Sequence, residues 1–288
     1  MSHKSLNSEE HGILWNPELV DVLTSLAVGI VGTFVPLFTG LTTPRLISSM
    51  RRPGITLWLV AIASGIIFWF FLDVMGDAAQ LDVNQGFANG LGDYTHPILA
   101  LMFALGIGLL FGFERKFSKS QDAAPESPQS SSPGTSSATW FTFAMAAVAA
   151  LGIGFHGLGE GLDIGSTLPN ASSVLDAIGG TLPGVAYVLH KGLEGFVVGV
   201  FALLASATSA RKIAILGALS GIPTVIGFFV GIPSMVDSSY FFAIGGAGAV
   251  YVEIKLIPFL SRSGRLYASI LPLLLGFYAM YFAGLFHS

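Results

Sequence analysis

The chain has 288 residues, 52% of them hydrophobic and only 10% charged, with a mean hydropathy of +0.73 and a formal net charge of −4. Soluble domains carry about 25% charged residues, so this composition excludes an ordinary soluble fold and implies an all-α integral membrane protein. The chain has no cysteine, which removes disulfides, thiolate metal sites and a Cys nucleophile, and no clustered basic stretch marks a nucleic-acid partner.

In chain order, residues 1–18 (MSHKSLNSEEHGILWNPE) are polar and are expected to form an extracytoplasmic tail. They lack the charged start and short apolar core of a cleavable signal. A helix needs about 20 apolar residues to cross the hydrocarbon core. Eight stretches meet that need: 19–41, 54–76, 95–114, 140–166, 179–207, 213–232, 238–260 and 266–286. The first three fall within 19–117. SKSQDAAPESPQSSSPGTSSA (118–138) is Ser/Pro-rich and is expected to be a disordered cytoplasmic loop. The other five spans lie within 139–288.

Charge asymmetry orients this arrangement. Arg45, Arg51 and Arg52 follow span one; Arg115, Lys116 and Lys119 follow span three. Arg211 and Lys212 join spans five and six, and Arg262 and Arg265 join seven and eight. The opposite loops hold Asp82, Asp93, Asp176 and Asp237, and only Lys4 of the tail adds a cation there. The positive-inside rule then places both termini outside the cytoplasm, in a multi-pass protein of the cell membrane.

Two short motifs interrupt the apolar pattern. HGLGEG (156–161) lies in span four and HKGLEG (190–195) in span five. Each histidine lies about ten residues from the outer end of its span, so both fall roughly 15 Å deep, near the bilayer midplane. Residues four apart share a helix face, so His156 can act with Glu160 and His190 with Glu194. Two such pairs on antiparallel neighbours offer two nitrogens and two oxygens, a set that suits zinc, iron(II), manganese or cobalt. Hydrogen-bonded helix packing alone would need one such residue, not two matched pairs.

Other charges sit in the spans. Asp73 and Asp77 share a face of span two toward the outer side and suggest a cation's way in; the alternative is helix packing. Asp163, near the outer end of span four, fits the same route or the lipid headgroup level. Glu253, on the cytoplasmic side of span seven, is an exit candidate. Lys191 is costly at the midplane, about 3 kcal/mol or more, and needs an anion. Glu160 and Glu194, at the same depth, are the obvious partners, with Asp73 or Asp77 as the alternative.

On these motifs the chain resembles the ZIP (Zrt/Irt-like) family of divalent metal transporters, whose fourth and fifth spans carry His-Asn-x-Pro-Glu-Gly and His-Glu-x-Pro-Glu-Gly. Span two (AIASGIIFWFFLDVMGDA) and span seven (AIGGAGAVYVEIKLIPFL) are similar to its corresponding segments. The resemblance implies a ZIP-like bundle of eight helices and a primary metal site at His156, Glu160, His190 and Glu194. It also implies alternating access by movement of the helix group that holds this site. Gly157 and Lys191 stand where the family has second-site ligands, and Thr224 stands where span six often has Glu. Gly159 and Leu193 replace the motif prolines. Lys191 is therefore expected to act as a resident cation in place of a second ion.

The expected function is transport of divalent transition-metal ions toward the cytoplasm, zinc first, with iron, manganese, cobalt or cadmium also compatible. The ion is substrate rather than cofactor, and no enzymatic activity is expected. Partners would be the metal ion and the lipid bilayer, with monomer and homodimer both open. The alternative is an intramembrane metal-dependent hydrolase. Such sites commonly hold zinc with three histidines, and here only two lie deep.

Overall fold

In a computed structural model, residues 17–49, 54–81, 95–122, 141–232, 236–262 and 266–286 are described. Eight long helices occupy them: α1 (Pro17–Ser48), α2 (Ile55–Leu81), α3 (Thr95–Asp122), α4 (Phe143–Thr167), α5 (Thr181–Leu204), α6 (Ala210–Gly231), α7 (Ser239–Arg262) and α8 (Leu266–Gly284). Each is long and apolar enough to cross a membrane, and no strand occurs among the described residues. The chain is a helical, multi-pass membrane protein.

Where boundaries differ from the sequence reading, helix-compatible charged residues extend the spans. α1 runs past Arg45 to Ser48, and α3 continues through Arg115, Lys116 and Lys119 to Asp122. Basic residues at a helix C-terminus complement its dipole, so the hydropathy drop there ends the apolar stretch and not the helix. The first five residues of the expected loop, 118–122, are accordingly helical, and 123–138 lie outside the described residues. At the start of α6, the Ser209 hydroxyl accepts from the Lys212 amide at 3.4 Å, which brings Arg211 and Lys212 into the first turn.

The helices pack as two groups. α4 lies along α6 and α1 along α5, with α1 also against α6; in the other group α2 lies along α8 and α7, and α3 along α7. Glycine makes these approaches possible, as is usual in membranes. At Gly195 of α5 the backbone lies against the Leu37 carbonyl of α1, and at Gly161 of α4 against the Thr224 carbonyl of α6. Gly65 and Gly276 do the same between α2 and α8. The groups meet mainly where α4 crosses α7: a Cβ added to either Gly152 or Gly248 would lie 2.8 Å from the other's Cα.

The two ends differ in chemistry. The Arg45 guanidinium donates to the Thr208 carbonyl at 2.5 Å, so the end of α1 and the α5–α6 turn share one basic end. At the other end the α4–α5 connection is folded on itself. Asp176 accepts from the Ser172 amide at 2.8 Å and its hydroxyl at 3.0 Å, which holds the Asp176 carboxyl below its usual range. Gly179 and Gly180 then turn the chain into α5 with φ of 82° and 110°, values that favour glycine.

Candidate metal centre

α4 and α5 bring the two motifs together. His156, Glu160, His190 and Glu194 are all buried, the histidines 3% and 1% exposed and the glutamates 3% and 2%. Their four ligand atoms lie within 4.8 Å of one another, a grouping that could hold a metal ion. His156 Nε2 is 3.4 Å from Glu160 Oε1 and 3.7 Å from Glu194 Oε1. His190 Nε2 is 3.7 Å from Glu160 Oε1 and 3.5 Å from Glu194 Oε1.

Those four separations exceed a good N–H···O hydrogen bond of about 2.7–3.2 Å. They match the edges of a coordination polyhedron. A tetrahedral ion with bonds of about 2.1 Å separates its ligands by about 3.4 Å. The donor set, two imidazoles and two carboxylates, is also one that borderline divalent ions accept. The residues present therefore fit such an ion on both spacing and chemistry.

Lys191 occupies the other side of the carboxylates. Its ammonium pairs with Glu160 Oε2 and, at 2.8 Å, with Glu194 Oε2. It is 1% exposed, so this pairing, and not one with Asp73, compensates its charge. Each glutamate thus turns Oε1 to the histidines and Oε2 to Lys191. Gly157 leaves the necessary space: a Cβ there would lie 3.4 Å from Lys191 Nζ and would collide with the Thr224 hydroxyl.

Aromatic rings close the centre. Phe70 of α2 meets the His156 ring edge-on at 4.5 Å and lies 6.0 Å from that of His190. Phe242 of α7 lies 5.4 Å from His156. Tyr187 sits below Lys191, whose ammonium is 5.7 Å from its ring centroid, and its hydroxyl shares a 2.8 Å hydrogen bond with Thr33 of α1. Sequence reasoning missed all three rings. Tyr187 lies one turn before Lys191, so its place was available from helical spacing; Phe70 and Phe242 reach the site through tertiary packing, which no local pattern records.

Of the outlying acids, Asp73, Asp163 and Glu253 are not brought into the cluster. Asp73, one turn beyond Phe70, faces Gly284 of α8: a Cβ there would lie 3.2 Å from its carboxylate. Asp77 is on α2, but its side chain lies outside the described residues. Asp163, one turn beyond Glu160, is exposed and hydrogen-bonded to Ser238. Glu253 is half-buried and accepts from the Ser64 hydroxyl of α2, with O···O distances of 3.0 and 2.9 Å. Its neighbour Lys255 is neutralised by Glu114 of α3 at 2.8 Å, a partner that sequence reasoning also missed.

No family model matches this chain, and no curated protein matches it.

Proposed function

We propose that this protein carries divalent transition-metal ions, zinc first, across the membrane toward the cytoplasm, as a ZIP-like transporter with both termini outside. The observation that carries the reading is the buried set of two Nε2 and two Oε1 atoms on two spanning helices, with four edges of 3.4–3.7 Å. Ionisable groups within a bilayer are costly and mark ion pathways. This set lies on spanning segments and between the two helix groups, where an ion could pass from one side to the other.

In this reading the four side chains replace the ion's water shell and Lys191 holds the carboxylates in place from behind. With neutral imidazoles, two carboxylates and one ammonium leave the cluster at −1 and the loaded cluster at +1. A resident cation so close to the ion favours release over retention. Asp163 and Asp73 would lie on the outer route. Glu253 lies about 12 Å further along α7 than Gly245, which touches His156, on the way to the basic end.

The hydrolase alternative gains no support from the site. Among the described side chains the only histidines are His156 and His190, short of the three that such zinc sites commonly use. Zinc uptake into sealed proteoliposomes, read by an internal zinc-sensitive dye, tests the transport reading. Glu160→Gln and Glu194→Gln should each lower ion affinity at least about 10–100-fold, as even loss of an outer-shell partner does, and abolish flux at micromolar zinc. Wild-type flux in both variants would refute the site.

A further inference from the structure

On its lipid side, the group formed by α1, α4, α5 and α6 contains a groove of about 390 Å³. Along α5 its wall runs from Thr181 at the helix start to Leu189, eight residues or about 12 Å down the helix. It therefore runs nearly parallel to the spans, from the level of the α4–α5 connection toward the depth of the metal centre. α1 forms the facing wall with Gly29, Gly32 and Thr33, and α6 closes the end with Thr224 and Phe228. Beside its mouth, Val185, Val188 and Leu189 are 52%, 42% and 56% exposed, so the opening continues the apolar outer surface.

A groove of this size that opens onto the apolar outer surface is filled by what surrounds that surface, and its apolar walls repel water. Its volume lies at the small end of the range for ligand pockets, about 300–1,000 Å³. The wall hydroxyls of Thr33 and Tyr187 are spent on one another at 2.8 Å, which leaves the Thr181 and Thr224 hydroxyls, one at each end, as the polar side chains of an otherwise apolar lining and no charged group to hold a soluble ligand. Glycines at 29 and 32 give the groove its width. A Cβ on Gly32 would meet nothing closer than the Tyr187 ring at 3.9 Å, so helix packing does not require glycine there.

We propose that this groove is a binding site for one acyl chain of a membrane phospholipid, from the leaflet on the side of the α4–α5 connection. The headgroup lies at the level of Thr181 and the chain extends down α5 to Tyr187. The assignment stands independently of the metal reading. It has a consequence for that reading, however, because Tyr187 and Thr224 separate the chain's end from Lys191.

The test uses the full chain in proteoliposomes containing a phosphatidylcholine with a photoreactive diazirine near the end of one chain. Crosslinks are mapped by mass spectrometry, and the lipid face of α8, where Leu271 and Leu275 are 59% and 53% exposed, supplies an internal reference. In the wild type, peptides covering 29–33 and 181–189 should be labelled more strongly than α8. Gly32→Leu, which fills the groove, should remove that excess and leave α8 unchanged. Val185→Trp blocks the mouth from an exposed position and should do the same, which guards against misfolding of the first variant. Labelling of the groove equal to α8 in the wild type, or an excess that survives both substitutions, would overturn the proposal. A photoreactive amino acid placed at position 189 that crosslinks to a second copy of the chain or to residues 1–16, and not to lipid, would overturn it too.

Discussion

At the scale of single residues, Lys191 decides how the centre behaves without an ion. Its ammonium binds both carboxylates where water cannot reach. Removing one partner of a buried ion network costs about 3–5 kcal/mol, because it strands the opposite charge. Lys191→Met leaves Glu160 and Glu194 side by side with no fixed cation, a cluster of −2. That variant should be clearly less stable than the wild type when metal-free, yet gain more from zinc, since a divalent ion then neutralises the whole site. Ligand binding stabilises a fold in proportion to occupancy and affinity. Thermal unfolding with and without zinc reads both effects, and equal zinc-induced shifts in the two proteins would show that Lys191 does not oppose the ion. A second-ion variant is harder to build than the motif suggests. Asn in place of Gly157 would collide with Thr224, so restoring that ligand also requires a smaller residue at 224.

At the scale of helices, the centre depends on how closely α4 and α7 cross. A Cβ on Gly245 of α7 would lie 2.7 Å from the Cβ of His156 and 3.0 Å from its Cα, so Gly245→Ala must push the helices apart at the metal site. Overpacking of this kind costs about 1–3 kcal/mol, and it displaces a ligand as well. Gly76→Ala is the control, because a Cβ there has nothing within 4 Å. The alanine at 245 should weaken zinc binding and that at 76 should not; equal affinities would place the α4–α7 crossing outside the determinants of the site. Such contacts also mark how far the sequence could be read. The eight spans were legible because hydropathy is a property of each segment alone, and the His–Glu pairs because residues four apart share a face. The pairing of Lys191 with Glu194 follows from the companion spacing of three. Helix partners such as α4 with α6 were not legible, since they arise where glycines in distant segments admit a backbone carbonyl. The charged ends of α1 and α3 were misplaced because hydropathy reports where the hydrocarbon ends and not where the helix does.

At the scale of the molecule, the centre is closed on every side: none of its four ligands is more than 3% exposed, and Phe70 and Phe242 cover His156. An ion held there can enter or leave only if the surrounding helices move. The seam proposed for that motion runs between the α1/α4/α5/α6 group and the α2/α3/α7/α8 group, for close glycine contacts run along the helix pairs within each group and between the groups gather at the α4–α7 crossing. Alternating access requires the seam to open toward each side in turn. The chain has no cysteine, so a single Thr224→Cys provides a clean reporter. Thr224 is 3% exposed and faces the Gly157 and Lys191 side of the centre. A small membrane-impermeant thiol reagent should modify it slowly from either side of an oriented vesicle, each time the protein visits the corresponding open state. Zinc should change both rates, because the loaded site favours different states from the empty one. Modification from one side alone would instead describe a receptor that binds its ion and keeps it, and the transport reading would fall.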